Sequence, residues 1–417
     1  MKIMKINGGN TLSGTINISG AKNSAVALVP ASLLCDEQVV LYNVPNISDV
    51  DALEEILEFL NAEITKDGNS LYIDSKNIIN MDISKDHSKK LRASYYFMSA
   101  LLGKFGKVSM YFPGGCNIGA RPIDLTLNAY KALGATVVEE NDQFSISADK
   151  LVGANIHLNF PSVGATINTI LVAVKAEGTT IIENAAKEPE IGNIIDYLNN
   201  MGAKITGKDT STITIEGVTY LHKAEITVIP DRIEAGTYLI AGALIGDNLK
   251  INNLIPEHIK SLTDKFSCMG VDFIINKDNI IINKSKDLNP VNITTLGYPG
   301  FPTDLQQPIT VLLTQCNGES IIEETIYENR MGHVPYLNKM GANIISSTNI
   351  ANIYGCADLV GTETVATDLR AGAAMVMAGL FANGETIVND AEHILRGYEN
   401  IIEKLTSVGA SISIDEI

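Results

Sequence analysis

The chain has 417 residues, 45% hydrophobic and 19% charged, which is material for two or three domain cores and excludes both a disulfide-stapled miniprotein and a disordered chain. A formal net charge of −17 excludes a broad basic face for nucleic acid or an anionic membrane, so an anionic ligand must be caught by a concentrated local positive site. The five cysteines lack CxxC or Cys/His spacing and the six histidines lack metal spacing, so neither a disulfide framework nor a metal site is indicated.

Residues 1–20 lack the apolar core of a signal peptide. The longest apolar stretches, near residues 24–35 and 371–382, fall short of the roughly 20 residues a bilayer requires. A soluble, cytoplasmic protein is expected, and nothing demands more than a monomer.

In chain order, the first predicted element of note is a helix opened by Gly20-Ala21-Lys22-Asn23-Ser24, where a lysine and an amide either reach a phosphate at the helix dipole's positive end or simply face solvent. A second helix ends at Leu60-Asn61-Ala62. That helix end, followed by a strand-like run, recurs at Gly134, Gly202, Gly270, Gly341 and Gly409, spaced 68 to 73 residues apart. The chain therefore reads as six copies of one unit.

Each unit carries a second, more apolar helix upstream, beginning near Lys22, Arg92, Gly164, Arg232, Asp304 and Arg370. Helices apolar on nearly all sides belong inside, with sheets wrapped around them. The fold class expected is α/β, in two inside-out, barrel-like domains of three pseudo-repeats each, with buried parallel helices and a crossing near Ile229-Pro230; a helical solenoid fits the recurring strands poorly.

Only six of the 31 basic residues are arginine. Arg92, Arg232 and Arg370 stand at equivalent buried-helix starts, and Arg121, Arg330 and Arg396 in equivalent loops before the second helix. Planar forks in such positions suit bidentate binding of phosphate or carboxylate, although pairing with Asp231, Asp368, Glu188 or Glu399 is the structural alternative.

The loop at residues 113–124, with three glycines and two prolines, presents Cys116 as a proton donor or latent nucleophile. Cys35, Cys268, Cys316 and Cys356 read as packing residues. In Phe301-Pro302-Thr303-Asp304 a carboxylate opens a helix, either as a cap or as a general base among cations.

Taken together, Gly20-Ala21-Lys22-Asn23, Leu91-Arg92-Ala93-Ser94, the Cys116 loop, Ser162-Val163-Gly164-Ala165-Thr166, Pro230-Asp231-Arg232-Ile233-Glu234, Phe301-Pro302-Thr303-Asp304, Glu328-Asn329-Arg330, Thr367-Asp368-Leu369-Arg370 and Arg396-Gly397-Tyr398-Glu399 resemble the UDP-N-acetylglucosamine 1-carboxyvinyltransferases of the enolpyruvyl transferase family. The resemblance implies one domain at residues 21–229 and another at 1–20 plus 230–417, with the active site in the cleft between them. It implies transfer of the enolpyruvyl group of phosphoenolpyruvate to the 3′-hydroxyl of UDP-N-acetylglucosamine, releasing phosphate, in peptidoglycan precursor synthesis, with no cofactor or metal.

By the same resemblance Cys116 is the proton donor, a site of pyruvate adduct formation and the target of fosfomycin, and Asp304 is the base. Lys22, Arg121 and Arg396 hold the phosphate of phosphoenolpyruvate, Arg330 and Arg370 hold its carboxylate or steady the developing charge, and Asn23 lies near it. Asn23, Arg92, Arg121, Pro122, Ile123, Asp124, Leu125, Pro161, Ser162, Val163, Asp304 and Ile326 match the family's sugar-nucleotide contacts. Ser48, Phe160 and Thr126 depart from the commoner family pattern. The competing expectations are a 5-enolpyruvylshikimate-3-phosphate synthase-like transfer and a non-enzymatic acidic repeat scaffold.

Overall fold

The computed structural model describes residues 2–114 and 123–416. Cys116, Arg121 and Pro122 lie outside the described residues. The chain divides into two compact units, residues 2–19 with 230–416 and residues 20–114 with 123–229, and passes from one to the other twice. Each unit has its own apolar core.

The repeat is visible in the backbone. Gly134, Gly202, Gly270, Gly341 and Gly409 have φ between 81° and 108°, and Asn61 has φ 68°, so every helix end predicted from the repeat turns through the left-handed region. The helices preceding them are amphipathic, as in Ser48–Phe59 and Pro189–Asn200.

The other helix of each repeat is buried. All 14 residues of Arg232–Ile245 are buried, as are all but the last of Leu369–Phe381, and a helix without a wet face can persist only if other elements enclose it. In one unit the helices Arg232–Ile245, Gln306–Leu313 and Leu369–Phe381 pack pairwise; in the other, Tyr95–Phe105 packs on both Lys22–Ala31 and Val163–Ala173. The expected starts at Arg92 and Asp304 prove to be single 3-10 turns, Arg92–Ser94 and Thr303–Leu305, from which the α-helices continue.

Each unit carries three sheets of one plan. A strand before the buried helix runs parallel to the strand after it: Asn155–His157 with Thr179–Glu183, Ile293–Thr294 with Glu319–Glu323, and Glu363–Val365 with Glu385–Asn389. Parallel pairing requires a crossover, which the buried helix supplies. Antiparallel neighbours complete each sheet.

Two departures follow from how the chain is routed. In the second repeat the parallel edge shrinks to one bridge between Ile83 and Met110. At the crossings, Glu225–Thr227 pairs with Val39–Tyr42 and Thr15–Asn17 with Leu249–Asn252, so each unit closes on a strand from its own far end. In the sixth repeat Lys2–Asn7 lies between Glu385–Asn389 and Ser411–Glu416, where a hairpin strand stands in the other repeats.

The caps supply a test. Around Gly270 an added Cβ meets only Asn289 at 3.8 Å, so Gly270→Ala suffers from its backbone angle alone, whereas Gly341→Ala also meets the Asp358 carbonyl at 2.8 Å. Gly270→Ala is expected to cost about 1–2 kcal/mol in urea unfolding and Gly341→Ala more, while Gly270→Asn, the residue type used at position 61, loses less than Gly270→Ala.

Candidate active site

In the unit formed by residues 2–19 and 230–416, three buried helices begin with an aspartate, and the three do different work. Asp231 caps Arg232–Ile245 by accepting from the backbone N–H groups of Ile233 (2.8 Å) and Glu234 (2.9 Å). Asp368 caps Leu369–Phe381 in the same way through Arg370 (2.8 Å) and Ala371 (3.0 Å), and accepts from Gln307 Nε2 at 3.1 Å. Asp304 makes no cap.

The Asp304 carboxylate is instead gripped by two guanidiniums. Its Oδ1 accepts from Arg330 Nη2 at 2.8 Å and its Oδ2 from Arg370 Nη2 at 3.0 Å. Both arginine side chains are 3% exposed and the aspartate 23%, so the group opens through Asp304. Burial alone would raise the Asp304 carboxyl, but Arg370 and Arg330 overcome it and hold it far below the ordinary carboxylate range. Burial works against the charge of both guanidiniums, but Asp304 and then Tyr327 outweigh it at Arg330, and Tyr398 and then Asp304 outweigh it at Arg370, so both stay charged.

Aromatic faces back both forks. Arg330 lies over Tyr327 (5.1 Å to the centroid) and Arg370 over Tyr398 (5.3 Å). Arg330 also donates through Nη1 to Thr303 Oγ1 at 2.7 Å. Neighbouring His333 is fully buried, and burial pushes it down to about 4, so it is neutral near neutral pH.

Arg396 is half-buried after the Glu392–Leu395 turn, and its loop continues into Tyr398 beneath Arg370. Glu399, next in the chain, accepts from Ser19 Oγ. Lys404 donates to Ser19 Oγ and to Glu234 Oε1, each at 2.6 Å, and the Ser19 N–H donates to Glu234 Oε2 at 2.9 Å. This network fastens the strand leading to the first crossing. Burial pushes the Glu234 carboxyl up to about 7 despite Lys404.

In the other unit Lys22 opens the Lys22–Ala31 helix with its Nζ 2.8 Å from Asp49 Oδ2, and Asn23 is half-buried beside it. Arg92 lies over the rings of Tyr95 (5.9 Å) and Phe112 (5.6 Å), and Phe112 immediately precedes the 113–124 loop. The Tyr95 hydroxyl sits where a side chain on Gly164 would begin, 1.7 Å from an added Cβ. Arg92 thereby packs on Phe112 and on Tyr95, whose hydroxyl covers Gly164.

Ser162 caps Val163–Ala173 by accepting from the Ala165 N–H at 3.3 Å, with Pro161 and Val163 half-buried beside it. Past the loop, Ile123 is buried, Asp124 is exposed at the start of Asp124–Ala132, and Leu125 is half-buried. Ile326, in the first unit, is half-buried and its N–H donates to Glu324 Oε1 at 2.8 Å.

Two cysteines differ from expectation: Cys35 and Cys316 are buried, but Cys268, on the helix Lys260–Met269, and Cys356, in the loop after the strand Ile350–Tyr354, are exposed. Sequence reasoning also missed Asp49, Glu324, Tyr95 and Tyr327. Among the described residues no group of His, Cys, Asp and Glu could hold a metal ion, and no helix is long and apolar enough to cross a membrane.

Replacing Asp304 by Asn leaves two buried guanidiniums facing an amide. Its unfolding free energy near neutral pH is expected to drop by about 3 kcal/mol in chemical denaturation. Because the folded carboxyl is held below its ordinary value of 3.8, the parent's advantage is full above that value and shrinks as pH falls through the folded one. Glu234 has the opposite sign: raised from 4.5 to about 7, it makes stability fall as pH rises across that interval. Glu234→Gln should therefore gain stability relative to the parent between those two pH values, measured by urea unfolding at a series of pH.

Comparison with known proteins agrees on one relationship. Residues 6–405 match the model of the EPSP synthase (3-phosphoshikimate 1-carboxyvinyltransferase) family. UDP-N-acetylglucosamine 1-carboxyvinyltransferase 2 of Lactiplantibacillus plantarum is 52% identical over 99% of this chain and 98% of its own length, and the protein of the same name from Lactococcus lactis is 50% identical over the full length of both. Among solved structures, the enolpyruvyl transferase NikO from Streptomyces tendae superposes with a TM-score of 0.91 at 27% identity over 99% of each chain. EPSP synthase from Acinetobacter baumannii, at 15% identity over the whole of both chains and a TM-score of 0.78, shares the fold. The chain belongs to the enolpyruvyl (1-carboxyvinyl) transferase family, beside the UDP-N-acetylglucosamine 1-carboxyvinyltransferases.

Proposed function

We propose that this enzyme transfers the enolpyruvyl group of phosphoenolpyruvate to the 3′-hydroxyl of UDP-N-acetylglucosamine, releasing phosphate and committing the sugar nucleotide to peptidoglycan precursor synthesis. Identity near one half over the full length of enzymes so named supports the acceptor, against 15% for the EPSP synthase structure. The observation that carries the chemistry is the Asp304 carboxylate held between the Arg330 and Arg370 forks.

The reaction is an addition followed by an elimination. A proton delivered to the methylene carbon of phosphoenolpyruvate makes C2 electrophilic, and the sugar oxygen bonds to C2 as its own proton leaves. The tetrahedral intermediate then loses phosphate from C2 and a proton from the methyl carbon, restoring the double bond. In this scheme Cys116 supplies the first proton and Asp304 receives the hydroxyl proton. Lys22, Arg121 and Arg396 hold the phosphate. The intermediate has to be kept from water while phosphate leaves.

The triad's electrostatics suggest how Asp304 becomes a base. Held by two guanidiniums, it binds protons poorly. The enolpyruvate carboxylate competes for the same forks, and each fork it draws away raises the proton affinity of Asp304. Arg330 Nε and Arg370 Nη1 have no hydrogen-bond partner among the described residues, which leaves donor capacity beyond what Asp304 uses.

A phosphate-release assay tests the function. Phosphoenolpyruvate with UDP-N-acetylglucosamine should release phosphate, and with shikimate 3-phosphate should not; the reverse outcome overturns the assignment. Fosfomycin should inactivate the enzyme by alkylating Cys116, and Cys116→Asp should escape labelling while keeping activity. Mapping of the label to exposed Cys268 or Cys356 would count against that role.

A further inference from the structure

Given enolpyruvyl transfer as proposed above, the geometry points to Glu324 as a positioning residue that sets Arg330 against Asp304 and shapes the Ile326 turn. Its side chain is 2% exposed and takes four donors. Oε1 accepts from Thr295 Oγ1 (2.9 Å) and from the N–H groups of Ile326 (2.8 Å) and Tyr327 (3.2 Å), while Oε2 accepts from Thr303 Oγ1 (2.8 Å).

Three of the four contacts lead toward Arg330 or the Ile326 turn. Thr303 precedes Asp304 in the same one-turn helix, and with its hydroxyl proton committed to Glu324 its oxygen faces Arg330 Nη1 as an acceptor at 2.7 Å. Tyr327, fixed through its N–H, carries its ring beneath the Arg330 guanidinium. Ile326 stands in the turn between them. Thr295 completes the arrangement by accepting from the Thr325 N–H at 2.9 Å while it donates to Glu324. One carboxylate thus fixes the direction of the Thr303 hydroxyl and the course of the turn.

A carboxylate is required because every neighbour donates. A glutamine presents one acceptor oxygen and an NH2 group. With three donors around the Oε1 position, the amide oxygen must go there, which turns the NH2 toward Thr303. Thr303 then accepts from the introduced amide as well as from Arg330, and its hydroxyl proton, no longer held by Glu324, is free to turn, so the orientation that set Thr303 against Arg330 is lost while the Ile326 turn keeps its acceptor.

The test is a double-mutant cycle on the full chain, assayed well below each variant's Tm. Glu324→Gln and Thr303→Val are each expected to lower kcat by about tenfold or more, the size of losing one hydrogen bond to a charged group, with KM for UDP-N-acetylglucosamine changed less than about threefold. Thr303→Ser, which keeps the hydroxyl, should stay within about threefold of the parent, and the double variant Glu324→Gln/Thr303→Val should be no slower than the slower single one. Parent-like kcat in folded Glu324→Gln, multiplying rather than shared losses, or parent-like kcat in Thr303→Val overturns the inference. If Glu324→Gln does not fold, the Thr303→Val and Thr303→Ser pair decides. Absence of phosphate release by the parent would instead sink the functional proposal on which this rests.

Discussion

One carboxylate shared by two buried guanidiniums sets the terms for the unit that contains it. Taking three ions from water is costly, and such groups are weak devices for stability alone. Their merit here is that two buried guanidiniums are fixed in place beside one partly exposed carboxylate. In a chain of net charge −17, such fixed cations are what the proposed anionic substrate would meet. The aromatic rings of Tyr327 and Tyr398 lie against the guanidiniums and favour their charge.

The repeat explains how the fold can assign Asp304 to this work. Asp231 and Asp368 satisfy the first free N–H groups of their helices, the ordinary duty of an aspartate at that position. At the third start the chain enters through a 3-10 turn, Pro302 rather than an aspartate precedes it, and the carboxylate is released from the backbone to meet side chains. Three equivalent positions thus give two structural caps and one carboxylate bound by side chains.

The architecture was legible because its signals are local and repeated: left-handed helix ends at Gly134 through Gly409, an Asn substitute at 61, and helices with no polar side. Membership of the two arginine classes was legible for the same reason. What the sequence withheld was pairing. Nothing in the spacing of Asp304, Arg330 and Arg370 says that both forks close on one carboxylate, or that Lys22 meets Asp49, since those contacts join residues 26 to 66 positions apart. Glu324 did leave a trace. Ser320, Ile322 and Glu324 alternate inward while Glu319 and Glu323 face out, so period-two reading of the strand puts a carboxylate on a buried face, where it needs several donors. The exposed Cys268 and Cys356 mark the opposite failure, apolar sequence context being a poor guide to exposure at a helix end or in a loop.

The two arginines need not serve alike. Arg330 is fastened by Thr303 and, through the turn fixed by Glu324, by Tyr327, in addition to Asp304. Arg370 meets Asp304 through one nitrogen and rests on Tyr398, whose hydroxyl is engaged with Thr237 at 2.9 Å. A substrate carboxylate that draws one fork from Asp304 meets less resistance at Arg370, where fewer neighbours must move. Arg330 would then remain as the fixed reference that keeps Asp304 oriented while its proton affinity rises. Under the proposed mechanism Asp304 would thus stay a weak base until the enol carboxylate draws Arg370 away from it.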